Sequence, residues 1–512
     1  MSNTLAIHYG AHDTSACVYS DRIKYYFLEE RFSRKKHDRG LLNVYKNLVI
    51  SKEKIDRIVI SNFGKKTISV DKNFQLLRAY LEYHNRLHGF KPKLIKDSRH
   101  HLFHAAGAYY NSGYKDSIVV VIDGMGEYKK GKYEMETIYE VRDGKFKELY
   151  SNKGGIKSMV GIGILYAIAA LHMGQSQYDA GKAMGLSAYG SAKKSYIIDD
   201  YHIDDTFLTL NGNNLSTSLY GFDAIDACAL PKLADIDKSP ENFCKEVQLD
   251  TQNIVSKLVD KYLKQTKINN VCMSGGYAMN IITNSLLVEK FPEVNFYFEP
   301  MATDGGISVG AAALYATNRT PLTNTFFHGW KYDLPKTEGR TVSTKEVARL
   351  IKEQKSIGIY HGYAEAGQRS LGNRSIVYTA LDPHGKDVVN KIKKREWYRP
   401  FAASVLEEDA DLFFDISKPS PFMTQCYTVK KNVNLPSVTH IDNTCRVQTV
   451  NSGHLYQLLL ELRNLTGYGI ILNTSLNLSG EPLVETPQEA LNILTNTELD
   501  YLWFPESMQL IT

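Results

Sequence analysis

The sequence predicts an α/β protein built of two units, and three observations carry that reading. Through residue 317, short runs of strand-forming residues alternate with helical stretches. The stretch 319–341, with Pro321, Pro335 and no hydrophobic periodicity, interrupts the alternation, and a second strand-and-helix series begins at 344. At 512 residues the chain is also too long for one ordinary core. The units are placed at 1–330 and 342–512.

Leu5-Ala6-Ile7-His8-Tyr9 reads as the first strand. The turn Gly10-Ala11-His12-Asp13-Thr14-Ser15-Ala16 leads to strands Cys17-Val18-Tyr19 and Ile23-Lys24-Tyr25-Tyr26-Phe27. Strand, tight polar turn, strand is one way to build a phosphate loop from backbone N–H groups. Glu29 to Asp38 reads as a basic loop and 73–89 as a helix.

His100-His101-Leu102-Phe103-His104-Ala105-Ala106 is the stretch around which the chain is organised. Read as a helix start, it puts His100 and His104 one turn apart on one face and turns His101 away. Two imidazoles held that way make half of a divalent-metal site. Asp123, after the apolar run Ser117–Ile122, and Asp304, in Met301-Ala302-Thr303-Asp304-Gly305-Gly306, would complete it. The same residues equally fit a surface histidine cluster and two turn-opening aspartates, and spacing alone does not choose.

A β-rich region to residue 150 follows, with a turn at Arg142-Asp143-Gly144-Lys145, then a buried helix over 159–173 and the segment Tyr178–Leu186. Residues 195–240 are polar and irregular. Helix 241–266 feeds strand Asn270–Met273 and the turn Ser274-Gly275-Gly276-Tyr277-Ala278-Met279-Asn280. Paired glycines between strand and helix let a ligand lie on the backbone and helix N-terminus. Strand 294–298 and helix 305–317 close the unit. The second unit opens with helix 344–354 and strand Ser356–Tyr360.

The second unit is dense in cations. Arg369 and Arg374 flank a tight glycine, Lys393, Lys394, Arg395 and Arg399 follow, and Arg446 stands in Thr444–Thr449. Arginine forks match phosphate oxygens bidentately, so convergence of these residues would make an anion pocket. Surface ion pairs are the alternative.

Net charge is +5, but residues 22–99 hold twenty Lys/Arg against eight Asp/Glu. Phe74, Tyr80, Tyr83, His84 and Phe90 are interleaved with them, which suits either a polyanion-binding face or a solvated helical one. Six cysteines without a C-x-x-C fit reduced thiols. The N-terminus lacks the parts of a signal peptide, and the longest apolar run, Met159–Leu171, is too short to span a bilayer. A cytoplasmic protein without a membrane partner is expected; the oligomeric state is not readable.

Taken together these segments resemble the O-carbamoyltransferase family of nodulation-factor and tobramycin-type enzymes. The matching stretches are Gly10–Ala16, Glu30–Asp38, His100–Ala106, Ser274–Asn280, Asp304-Gly305-Gly306, Gly367–Ser375, Arg399-Pro400-Phe401, Ser420–Met423, Arg446–Thr449 and Asn473–Asn477. The resemblance implies a duplicated actin-like, sugar-kinase-like (TsaD-like) first domain and a YrdC-like α/β second domain. It implies that carbamoyl phosphate and ATP yield carbamoyl adenylate and pyrophosphate in the second domain. The carbamoyl group then passes to an acceptor hydroxyl in the first.

On matching positions, it implies metal ligands His100, His104, Asp123 and Asp304, with Fe2+ expected and Mg2+ or Mn2+ as alternatives. It implies carbamoyl-phosphate contacts at Lys393, Arg399 and Arg446, with Arg369 and Arg374 nearby. His12 is implied at the acceptor site, so His12, Lys393 and Arg399 form the expected catalytic set. Expected ATP contacts are Gly124, Lys182, Gly275, Gly276 and Asn280. Where the family has Glu-Gly-Lys this chain has Ala180-Gly181-Lys182, and Ile7-His8-Tyr9-Gly10 lacks the Asp of kinase-like phosphate loops, which disfavours a kinase.

The acceptor is not written in any motif. The basic section tilts the expectation to a hydroxymethylated pyrimidine in nucleotide or DNA. A hydroxylated natural product or sugar, a tRNA threonylcarbamoyl-type activity, and a catalytically dead nucleotide-binding regulator are the alternatives.

Overall fold

A computed structural model describes residues 2–10, 12–62, 70–155, 161–192, 239–316, 326–334 and 339–512. Ala11, Cys228, nearly all of the polar stretch 195–240 and the side chain of Phe74 lie outside the described residues. The chain divides into one compact unit of Met1–Ser33 and His37–Thr325 and another of Arg34–Lys36 and Phe326–Thr512.

Two sheets of the first unit repeat one plan. In the first, β1 (Thr4–Tyr9), β2 (Ser15–Tyr19), β3 (Ile23–Leu28), β4 (Arg57–Asn62) and β5 (Lys93–Lys96) lie in the order β3-β2-β1-β4-β5. Pairs β1–β2 and β2–β3 are antiparallel, β1–β4 and β4–β5 parallel. The second contains β6 (Asp116–Ile122), β7 (Tyr128–Lys129), β8 (Lys132–Arg142), β9 (Lys145–Gly155), β10 (Asn270–Ser274) and β11 (Asn295–Phe298). Apart from the short β7, its order is β9-β8-β6-β10-β11 with the same succession of senses. The strand topology alone thus displays the duplication. Val119, Val120, Val121 and Ile122 are fully buried, as a central strand covered on both faces requires.

Each half ends in a helix after its fifth strand, His100–Ser112 and Ile307–Tyr315. They meet on bare backbone: a Cβ on Gly310 would lie 1.8 Å from the Phe103 carbonyl oxygen. Ser15 Oγ donates to Ser308 Oγ (2.8 Å) and the Tyr26 hydroxyl to Gly305 O (3.0 Å), tying the start of the second helix to the first sheet.

The basic loop expected from Glu29 opens instead as a short helix, Glu29–Ser33. The buried Glu29 carboxylate accepts from the N–H groups of Asn43 (3.1 Å) and Val44 (2.8 Å), capping helix Leu42–Ser51, whose own N-cap is Leu41. A cap delivered from fourteen residues upstream leaves no local signature, and neither this helix nor β4 and β5 was read from the sequence.

The second unit contains β12 (Phe327–His328), β13 (Arg340–Thr341), β14 (Ile357–Tyr360), β15 (Ala364–Glu365), β16 (Arg374–Thr379), β17 (Ala402–Leu406), β18 (Cys426–Thr428), β19 (Thr444–Val450), β20 (Ile470–Ser475), β21 (Tyr501–Phe504) and β22 (Gln509–Ile511). Nine form one mixed sheet, β13-β22-β21-β14-β16-β20-β17-β19-β18. β12 pairs with β15, so Phe326–Trp330 belong with the second unit and not before the boundary. Helices Thr344–Lys352 and Gly453–Thr466 bury Val347, Ile351, Leu458, Leu459 and Leu462 with Trp503. Helix Pro487–Asn496 starts with a Thr486/Glu489 capping box.

Candidate functional site

The duplicated plan brings the ends of corresponding elements together. His100 and His104 come from the first turns of one terminal helix, Asp304 from the turn opening the other, and Asp123 from the residue after β6. One donor atom from each of the four lies within 4.8 Å of all the others. His100 Nε2 is 3.1 Å from Asp123 Oδ2 and 3.4 Å from Asp304 Oδ1, and His104 Nε2 is 3.5 Å from Asp304 Oδ1. His104 Nε2 is buried without a hydrogen-bond partner.

Burial works against a charged imidazole at His100, yet Asp304 and Asp123 push it up to about 10. Burial would raise Asp304, but His100 and His12 hold it well below the usual carboxylate range. Two buried carboxylates and an orphaned imidazole nitrogen aimed at one point are a donor set that fits a divalent cation. His101 points away and meets Thr137 Oγ1 at 2.7 Å.

Gly275 and Gly276 act on this centre through Asp123. Gly275, at φ 82°, lies so close to β6 that a Cβ would sit 2.2 Å from Ile122 O. The Gly276 N–H donates to Asp123 Oδ1 (3.1 Å). Gly163, unremarked in the sequence, backs the same residue: its Cβ would meet Asp123 O at 2.5 Å. Gly124 faces open space.

Two expected nucleotide contacts have internal partners. Asn280 Oδ1 accepts from Thr283 N (3.0 Å), and its Nδ2 donates to Tyr166 Oη (2.8 Å) and Gln248 Oε1 (3.1 Å), so its side chain is a helix cap in a buried polar network. Lys182 Nζ is 2.7 Å from Gln175 Oε1 and 3.3 Å from Asp179 Oδ2. The donors of both side chains are thus engaged by neighbours within the fold.

His12 stands at the rim, with Nε2 3.9 Å from Asp304 Oδ2 and Nδ1 3.1 Å from Asp13 Oδ2. Asp13 holds a second imidazole, His37, through Nδ1 at 2.9 Å. The Tyr178 ring lies against both, at 5.0 and 5.1 Å between centroids. Burial opposes a charge on His12, but Asp304 and Asp13 push it up to about 9. Asp13, His37 and Tyr178 were not singled out from the sequence; their contacts join segments that no local pattern relates.

In the second unit, Arg369 comes from the loop between β15 and β16, Arg395 and Arg399 from the turn after helix Gly385–Lys393, and Arg446 from β19. Burial and then Arg446, Arg399 and Arg395 hold the Arg369 guanidinium well below its ordinary range. Burial and Arg399 bring Arg446 down to about 10. Nε of Arg369, Arg395 and Arg446 are buried without hydrogen-bond partners. Half-buried guanidinia gathered this closely make a candidate anion site.

Arg395, one of the cations expected to converge though not among the implied carbamoyl-phosphate contacts, belongs to this group. Arg374 does not. Its guanidinium lies 3.6 Å over the Tyr360 ring and donates to the carbonyls of Gly362 (2.9 Å) and Asn373 (3.1 Å), as well as to His361.

Lys393 is buried, donating to Asn477 O (2.9 Å), Asn477 Oδ1 (2.8 Å) and the Ser475 carbonyl. Burial, with Arg395 and Arg399, keeps its ammonium well below the usual lysine range. Glu365 shapes the arginine loop by accepting from the N–H groups of Leu371 (2.7 Å) and Asn373 (2.8 Å). Beneath the loop, Asn473 Nδ2 donates to Ser404 Oγ (2.9 Å) and Gln448 Oε1 (3.2 Å).

Residues 66–313 match the family model described as carbamoyltransferase N-terminus, and residues 348–509 match carbamoyltransferase C-terminus. The chain belongs to the carbamoyltransferase family. An uncharacterised relative from Methanocaldococcus jannaschii is 30% identical over 79% of this chain and 72% of its own length. Another, from Synechocystis sp., is 27% identical over 98% and 95%. Nodulation protein NolNO of Sinorhizobium fredii is 29% identical over 80% of this chain and 63% of its own. Membership makes the chain an enzyme of the carbamoyltransferase class. Among the described residues no helix is long and apolar enough to cross a membrane.

Proposed function

We propose that this carbamoyltransferase makes carbamoyl adenylate from carbamoyl phosphate and ATP and delivers the carbamoyl group to an acceptor hydroxyl. The observation that carries the reading is the gathering of four half-buried guanidinia, Arg369, Arg395, Arg399 and Arg446, three of them with Nε atoms that have no hydrogen-bond partner, within the region matching the carbamoyltransferase C-terminus. Such a set suits two co-substrates that are both phosphate anions. Water cleaves carbamoyl phosphate to carbamate and phosphate, a carbamate oxygen attacks the α-phosphorus of ATP, and pyrophosphate departs. The acceptor oxygen then attacks the carbamoyl carbon, its proton passes to a base, and AMP leaves.

His12 is the base we assign, acting as neutral imidazole when a cation at the centre offsets the carboxylate charge that otherwise holds its proton, because its Nε2 faces the centre of His100, His104, Asp123 and Asp304 and its Nδ1 is held by Asp13. A divalent cation at that centre would offset charge on the departing AMP; Fe2+ is the expected ion, with Mg2+ and Mn2+ as alternatives.

For the acceptor we favour a hydroxymethylated pyrimidine in nucleotide or DNA, supported by exposed Lys46, Lys52, Lys54, Lys91, Lys93 and Lys96 in the first half. Tyr80 and His84 are not available to stack on bases: both are buried, and His84 Nε2 accepts from the Ile55 N–H (2.9 Å). Similarity to nodulation proteins favours a second reading, a hydroxylated sugar.

The test is incubation with ATP and carbamoyl phosphate, following pyrophosphate, then mass spectrometry of candidate acceptors for one added carbamoyl group. Pyrophosphate release that does not depend on carbamoyl phosphate overturns the adenylate step. DNA affinity that is absent at low salt overturns the polynucleotide acceptor.

A further inference from the structure

His8 stands beside the centre of His100, His104, Asp123 and Asp304. It is the next-to-last residue of β1 and is fully buried. Its Nδ1 lies 3.3 Å from Ser61 Oγ on the neighbouring strand β4. Its Nε2 is buried, has no hydrogen-bond partner, and faces Asp304 Oδ2 at 3.9 Å.

That distance is beyond a hydrogen bond. Two donors bound at about 2.1 Å to one ion stand about 3–4 Å apart.

The two oxygens of Asp304 are shared out accordingly. Oδ1 faces His100 and His104, at 3.4 and 3.5 Å, while Oδ2 faces His8 and His12, each at 3.9 Å. The duplication gives the arrangement a structural logic. β1 and β6 are the corresponding central strands of the two halves, Asp123 follows the end of β6, and His8 stands near the end of β1.

We infer that His8 Nε2 is a further protein donor to the cation held by His100, His104, Asp123 and Asp304, approaching from the Oδ2 side of Asp304. The inference rests on the reading of those four residues as a cation centre.

The test is Co2+ titration of the metal-free full chain, followed by calorimetry and by visible absorption, which reports coordination number and donor type. His8→Ala removes the imidazole. His8→Asn keeps a polar atom near Ser61 while removing Nε2, and so guards against a folding defect; His100→Ala is the control for the centre itself.

The expected result is a 10–100-fold weaker Co2+ affinity in both His8 variants, with an altered absorption band. Affinity within twofold of wild type and an unchanged spectrum in His8→Asn, with binding lost in His100→Ala, overturns the role of His8 and leaves the centre standing. Absence of Co2+ binding by the wild-type chain, or full binding by His100→Ala, overturns the centre and the inference together.

Discussion

Arg374 and Arg446 carry the same group and opposite duties. Arg374 satisfies backbone carbonyls at a strand end, so Arg374→Ala strands several buried acceptors and should cost about 3–5 kcal/mol in urea unfolding. Lysine, with no planar fork, should rescue little of it. Arg446 is held among like charges, so Arg446→Met should raise stability by about 1–2 kcal/mol while abolishing pyrophosphate release. Loss of stability in Arg446→Met would contradict a cluster of unbalanced cations. Glu136 gives a pH signature. Burial lifts its carboxyl from 4.5 to about 7, where it accepts from the Ile162 N–H and Asn152. Its folded pKa exceeds the unfolded one, so this stabilisation is whole below about 4.5 and is lost as pH rises through 7, about 3 kcal/mol in all. Glu136→Gln should flatten the melting temperature across that window. None of these roles was legible from residue type, since an arginine beside a glycine reads alike whether carbonyls or phosphates await it.

At the scale of elements, the cation centre depends on how closely two helices cross. Gly310→Ala would drive a methyl group into the Phe103 carbonyl, forcing apart the helix bearing His100 and His104 and the one opened by Asp304. The expected outcome is at least tenfold weaker cation binding and a loss of about 2–3 kcal/mol. Gly181→Ala, in helix Ala180–Leu186 with nothing within 4 Å, is the matched control and should be neutral or gain about 0.5–1 kcal/mol. Equal effects of the two, in calorimetry and melting, would rule out the crossing as the cause. The helix starting at His100 was legible because its i, i+4 histidines share a face. The helix Leu42–Ser51 was not, because its cap is Glu29, supplied by a different element.

For the whole molecule, the proposed division of labour predicts a double dissociation. Arg399→Ala should abolish pyrophosphate release and leave Co2+ affinity unchanged, whereas His104→Ala should lose the cation and carbamoyl delivery while sparing pyrophosphate release. A single variant that removes both would merge the two stations into one. The α/β class, much of the order of strands and helices, though not β4, β5 or helix Leu42–Ser51, and the residue types able to bind metal and phosphate came from sequence alone, because periodicity and turn chemistry are local. The partnership of His8 with Asp304, the clamp of Asp13 on His12 and His37, and the sorting of Arg374 from Arg446 came only with tertiary structure. Each depends on which distant backbone arrives opposite a side chain, and local spacing does not encode that approach.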